Sequence, residues 1–327
     1  MITLTCVFRL PTLVLVAASG IGAAGPHAVA ATKSSATRSH PRRTNERTGR
    51  LAPAFGELVK AYRRGDRSAL DRLADKLGAA RLAEAIVGAD EHLAEAALAA
   101  SQLARGGVSL VGPITAGLSN PARAAAAATA LGSLLDGATP TQIEDWDVPP
   151  DVVAAACGGL RALAARTDAA PGARLAALDA VLAAAPVCGP AGDLAPLTHD
   201  AAPAIRRAAV LVSAAGPGRE AILREAIADP DRGVRAAAVA AECRVEGRVG
   251  AGGKETPPGA QSIATARALA TAPTTPPEDA VEMLDCLAAA GTPADRALLD
   301  ELRRRPPSAL RDRAVELGDL AARGKTQ

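Results

Sequence analysis

Apolar residues along this chain recur at helical spacing, and no stretch alternates with the period of a strand. Val234, Ala238 and Ala241 stand at i, i+4 and i+7, a narrow stripe of small side chains that lets a second helix approach closely. The same periodicity predicts helices over about 53–64, 68–77, 79–87, 89–104, 121–136, 150–166 and 172–185. It predicts others over 203–214, 218–228, 233–245, 261–271, 277–290, 294–304 and 308–322. Turn formers separate them at Gly65-Asp66, Pro171-Gly172, Gly216-Pro217-Gly218, Thr275-Pro276-Pro277 and Pro306-Pro307, with longer breaks at 106–113 and 247–259. The expected fold is all-α, its helices pairing antiparallel.

The polar positions repeat too. Asp168, Asp200 and Asp229 each precede an arginine by six positions (Arg174, Arg206 and Arg235), and each cassette runs into an alanine-rich helix. Leu194, Asp200, Ile205, Arg206, Ala208 and Ala209 align with Leu223, Asp229, Val234, Arg235, Ala237 and Ala238, one unit about every 30 residues. Asp229-Pro230-Asp231 ends one helix and opens the next, because proline is tolerated in a first turn and aspartate accepts the free N–H groups there. Each arginine lies one residue off the apolar stripe. Such an arginine buries its stem in the seam between repeats and turns its guanidinium to a carboxylate of its own or the next repeat, so the cassettes predict a ladder of Asp/Arg pairs. Ordinary solvated arginines are the alternative.

On these residues the chain resembles the HEAT family in its short, PBS-lyase-like bacterial form, in which an Asp-Pro turn precedes a Val-Arg-x-x-Ala-Ala helix. Asp229, Pro230, Val234, Arg235, Ala237 and Ala238 fit that pattern closely. Asp200, Pro203, Ile205, Arg206, Ala208 and Ala209 fit it with the proline displaced, and Asp168, Arg174, Ala176 and Ala177 keep its polar frame. Asn120-Pro121-Ala122-Arg123 and Ser308-Ala309-Leu310-Arg311 look like degenerate copies. The resemblance covers roughly residues 160–245, and periodicity extends it over about 51–323, leaving 324–327 as a tail. It implies an α-solenoid, a superhelix of antiparallel helix pairs with protein-binding surfaces, and carries over no catalytic residue.

Composition agrees with thin helical layers. Hydrophobic residues make up 49% of the 327 positions but aromatic ones only 1%, so alanine, leucine and valine must fill the interior. The first 30 residues read as a secretory signal peptide: Arg9 is their only formal charge, Leu10 to Ala24 is mostly apolar, and Ala28-Val29-Ala30 offers small residues for cleavage. The expected location is periplasmic or extracellular, with no transmembrane helix once the leader is removed. Residues 31–50 hold Lys33, Arg38, Arg42, Arg43, Arg47 and Arg50 against Glu46 alone, so the slight net charge of +2 conceals a basic stretch ahead of an acidic remainder. Without apolar periodicity it reads as a disordered linker. A polyanion or envelope surface is a second reading of it, whereas the absence of a basic helical stripe and of interleaved aromatics argues against nucleic acid.

Beyond Cys6 the chain has Cys157, Cys188, Cys243 and Cys286, an even number in an exported protein, for which three pairings exist. Cys157 and Cys188 precede Asp168 and Asp200 by nearly the same distance, and the turn at Ala185-Pro186 lets Cys188 swing towards its counterpart. The favoured bridges are 157–188 and 243–286; four buried thiols are the alternative. None of these cysteines has the close spacing of a zinc site.

No catalytic constellation emerges, and no cofactor or metal is expected. Ser213, His199 and Asp200 lack the strand-to-helix elbow of an activated serine. Residues 247–254 depart from a phosphate loop at Arg248 and Glu255, and Glu144-Asp145-Trp146-Asp147 lacks the glycine and final glutamate of a calcium loop. Trp146 is either a packing anchor or an exposed contact. The expected function is a non-enzymatic scaffold for a protein or peptide partner. An enzyme acting on a small ligand is the alternative that the family resemblance implies.

Overall fold

The computed structural model describes residues 45–104, 107–243 and 258–324, and among these no strand occurs. The signal peptide, most of the basic linker, the 247–254 loop and the last three residues lie outside the described residues. Residues from Arg47 onward form one unit. Its first helices are α1 (Asn45–Arg63), α2 (Arg67–Val87), α3 (Glu91–Ser101), α4 (Val111–Gly117), α5 (Ala124–Leu135) and α6 (Pro140–Asp145). Next come α7 (Pro150–Ala165), α8 (Pro171–Ala183), α9 (Ala185–Cys188), α10 (Pro203–Ser213), α11 (Arg219–Ala226) and α12 (Arg232–Cys243). The described chain ends with α13 (Ala260–Thr271), α14 (Pro277–Ala290), α15 (Pro293–Arg303) and α16 (Ala309–Gly324).

Local chemistry explains most of these boundaries. Asp66, Asp90 and Thr292 accept first-turn N–H groups of α2, α3 and α15, while prolines open α6, α7, α8, α10, α14 and α15. Gly78 has a φ of 71°, outside the helical range, so α2 is two helical runs meeting at that residue. Those runs correspond to the helices expected over 68–77 and 79–87. Other elements differ from expectation. α1 starts at Asn45, so the end of the stretch read as linker is helical. α4 begins within the expected 106–113 break, and the acidic run before Trp146 is the end of α6, closed at its start by a Thr139/Gln142 capping box.

Packing follows a recurring scheme. α7 lies against α8, α11 against α12, α13 against α14 and α15 against α16. The second members of these pairs also touch one another in succession, α5 on α8, α8 on α10, α10 on α12, α12 on α14 and α14 on α16. In this row α10 has no regular first partner: a 3-10 segment over Gly192–His199 takes that place. α10 serves two apolar clusters, giving Ile205, Ala208 and Val212 to one and Val210 to the other. Small residues set the spacing. A Cβ on Gly132 of α5 would lie 3.0 Å from the Cα of Ala180 on α8, so these helices meet backbone to backbone.

The four cysteines pair as 157–188 and 243–286. Cys157 on α7 meets Cys188 at the end of α9 with a Cα separation of 5.4 Å, and Cys243 at the end of α12 meets Cys286 on α14 at 5.1 Å. Both separations fall within the disulfide range. One bridge stands at the irregular 185–199 segment, and the other joins α12 to α14.

The bridges span 31 and 43 residues, for which loop entropy assigns about 3–4 kcal/mol each. Reduction should therefore lower the calorimetric melting temperature clearly. The unreduced protein should show no alkylatable thiol among the four; four labelled cysteines would reject both bridges.

Candidate functional site

The Asp-x5-Arg cassettes assemble into one connected polar array. In the second and third cassettes the aspartate first shapes its own turn: Asp229 Oδ1 accepts the N–H of Asp231 at 2.7 Å, and Asp200 Oδ1 that of Ala202 at 2.9 Å. Asn120 does the same with Ala122 at 3.0 Å, so the degenerate copy keeps the turn without the charge. The arginine six residues on then reaches back over that turn. Arg206 Nη1 donates to the carbonyls of Asp200 and Ala201 at 3.0 and 3.2 Å, and Arg235 Nη1 to those of Asp229 and Pro230 at 2.7 and 2.9 Å.

The free edge of the guanidinium points into the following repeat. Arg206 forks onto Asp229, Nε to Oδ2 at 2.8 Å and Nη2 to Oδ1 at 2.9 Å. Arg174 donates Nη2 to Asp200 Oδ2 at 2.6 Å, while its Nε serves the carbonyl of Ala164 at 3.0 Å. These side chains are at most 13% exposed, so water screens the pairs little. Asp200 and Asp229 thus each close their own turn and receive the arginine of the preceding cassette.

The predicted ladder residues do not all enter it. Asp168 is 82% exposed and has only Arg166, at 3.5 Å, while Arg174 bypasses it for Asp200. Arg235 holds its own turn but meets no carboxylate among the described residues. Further rungs lie outside the cassette spacing. Arg123 embraces Glu91 at 2.6 and 2.9 Å and the carbonyls of Ile86 and Gly88, joining the end of α2 to the starts of α3 and α5. Arg267 reaches the fully buried Asp295 at 2.5 Å, Arg313 reaches Asp285 at 2.8 Å, and Arg207 of α10 reaches the buried Asp279 of α14 at 2.8 Å. Only Arg123 carried a sequence signal. In the other degenerate copy Arg311 is spent on exposed Asp312, and Arg313 makes the contact between helices.

The fields of these pairs appear in the acid–base properties. Asp229 is held below the usual carboxylate range, chiefly by the Arg206 fork, with the Asp231 N–H assisting and burial opposing. For Asp200 burial is the largest influence and pushes upward. The Ala202 N–H, the Arg174 hydrogen bond and the charges of Arg174 and Arg206 outweigh it, so the net shift is down. Asp295 follows the same pattern through Arg267 and Thr292, whereas burial wins at Asp285 and raises it despite Arg313.

An open groove of ≈ 530 Å³ lies beside the Arg206–Asp229 rung, lined also by His199 and residues of α11. His199 is 63% exposed, its Nδ1 3.4 Å from Oε1 of Glu225. Ser213 is fully buried and its hydroxyl has no hydrogen-bond partner, so neither His199 nor Asp200 activates it. Among the described residues no three His, Cys, Asp or Glu side chains gather as a metal-binding group. Trp146 ends α6 with 37% of its surface exposed, beside exposed Glu144, Asp145 and Asp147. No protein-family model matches the chain, and a search of curated proteins finds no match.

Arg206→Ala should destabilise the protein by about 1–3 kcal/mol through lost stem packing and an orphaned Asp229, whereas Arg305→Ala, at an exposed site, should change it far less. Equal shifts in urea midpoint would mean that the rung contributes nothing. The depressed carboxyls also set an acid limit. Their stabilisation is full above the ordinary carboxylate pKa of about 4 and disappears as pH falls through the lower folded values. Stability followed by urea unfolding should drop below that pH, and Asp229→Asn should flatten the drop while lowering stability at neutral pH.

Proposed function

We propose that this chain is an exported, non-enzymatic α-solenoid of the HEAT type that binds a protein or peptide partner along its row of second helices. The observation that carries this reading is the recurrence of one local device, an aspartate-closed turn and an arginine reaching into the next turn, at Arg174–Asp200 and again at Arg206–Asp229. A device that joins each unit only to its neighbour is what a stack of repeats requires, and such stacks present long surfaces to partners. The successive contacts from α5 to α16 support the same arrangement. Two cysteine pairs at disulfide distance favour an oxidising compartment, and no described helix is long and apolar enough to cross a membrane.

Photo-crosslinking in the native host tests the proposal. A crosslinking residue at the exposed Asp179 of α8 or at the half-buried Leu211 of α10 should trap one and the same partner, whereas one at the exposed Ala154 of α7 should not. Adducts of equal yield from Ala154, or none from either second-helix position, would overturn it.

A further inference from the structure

We infer that the groove beside the Arg206–Asp229 rung is a subsite for one cationic side chain, lysine or arginine, of a peptide partner; this rests on the peptide-binding reading above. The hydrogen bonds already made decide the sign of the ligand. All three nitrogens of Arg206 already donate, to Asp229 and to the carbonyls of Asp200 and Ala201. Both carboxyl oxygens of Asp229 accept from Arg206, and Asp200 is matched by Arg174 and the Ala202 N–H. The rung charges therefore cancel in pairs, and an anion entering the groove would meet no uncommitted cation.

One charge is left over. Glu225 lines the groove with 69% of its side chain exposed, and among the described residues its ionisable neighbour within ion-pair distance is His199 at 3.4 Å. Arg224, next to it in sequence, does not line this groove. The remaining walls include Ile222, Ala226, Ala228 and Pro230, whose side chains carry no donors. Glu225 beside such walls suits a ligand that has a hydrocarbon stem and ends in a cationic donor, which describes lysine and arginine side chains. The groove lies where α11 and the 3-10 segment flank α10, and Arg206 near the start of α10 lines it, which puts it at the edge of the row of second helices.

The probe is N-acetyl-arginine methylamide, with the uncharged, nearly isosteric citrulline derivative as control, titrated into the full chain and followed by the Ile222 methyl and His199 ring signals in NMR. The arginine probe should shift both signals saturably and citrulline neither. Glu225→Gln should weaken binding about tenfold, the loss of one charge-assisted hydrogen bond. Because Glu225 is exposed, this variant should keep the parent melting temperature. Equal binding of citrulline, unchanged affinity in Glu225→Gln, or signals that stay fixed would each overturn the assignment. If the arginine probe fails while Asp179 and Leu211 still trap a partner, the groove assignment falls and the scaffold reading stands. If the probe binds while neither position traps a partner, the scaffold reading falls and the groove keeps its preference for a cationic side chain.

Discussion

A guanidinium buried in a seam between helices needs hydrogen-bond acceptors there, and the turns at Asp200 and Asp229 are built to supply them. Arg206 finds them in two carbonyls of its own turn and the carboxylate of the next, so one side chain fixes both the shape of a turn and the place of its neighbour. Leaving either partner unmatched would cost far more than the pair contributes net, which makes the geometry specific as well as stabilising. Asp229 has the complementary role: one oxygen closes its own turn while both receive Arg206. Position in one repeat is thereby passed to the next.

The apolar interior works under a different constraint. Alanine fills much of it, and each buried alanine removes little surface from water, so stability depends on many close backbone contacts such as Gly132 against Ala180. Two disulfides add covalent ties, Cys157–Cys188 beside the irregular segment that precedes α10 and Cys243–Cys286 between α12 and α14. Arg207 adds a further tie from α10 past Gly233 of α12 to Asp279 of α14.

Legibility in the sequence followed the range of each interaction. Helices such as α10 and α14 were readable from local periodicity, with Pro203 and Pro277 marking their starts. The cassettes gave away the Arg206–Asp229 rung because both residues repeat in register. The cysteine pairs were readable because Cys157 and Cys188 hold nearly equivalent repeat positions. α4 and α6 were harder: each is about two turns long or less, with too few apolar positions to establish a period.

What the residues determine alone is therefore local: helix-forming periods, aspartate-closed turns and the recurrence of an arginine after each. Which carboxylate an arginine meets was decided only in three dimensions. Asp168 lost its place because the helix beginning at Pro171 carries Arg174 towards Asp200, leaving Asp168 in solvent. Asp279 and Asp295 gained theirs because packing buries them beside Arg207 and Arg267, which supply the charged hydrogen bonds that a buried carboxylate needs. Arg207 and Asp279 lie 72 residues apart in sequence, far from the repeat period, so only the stacking of helices brings those two charges together.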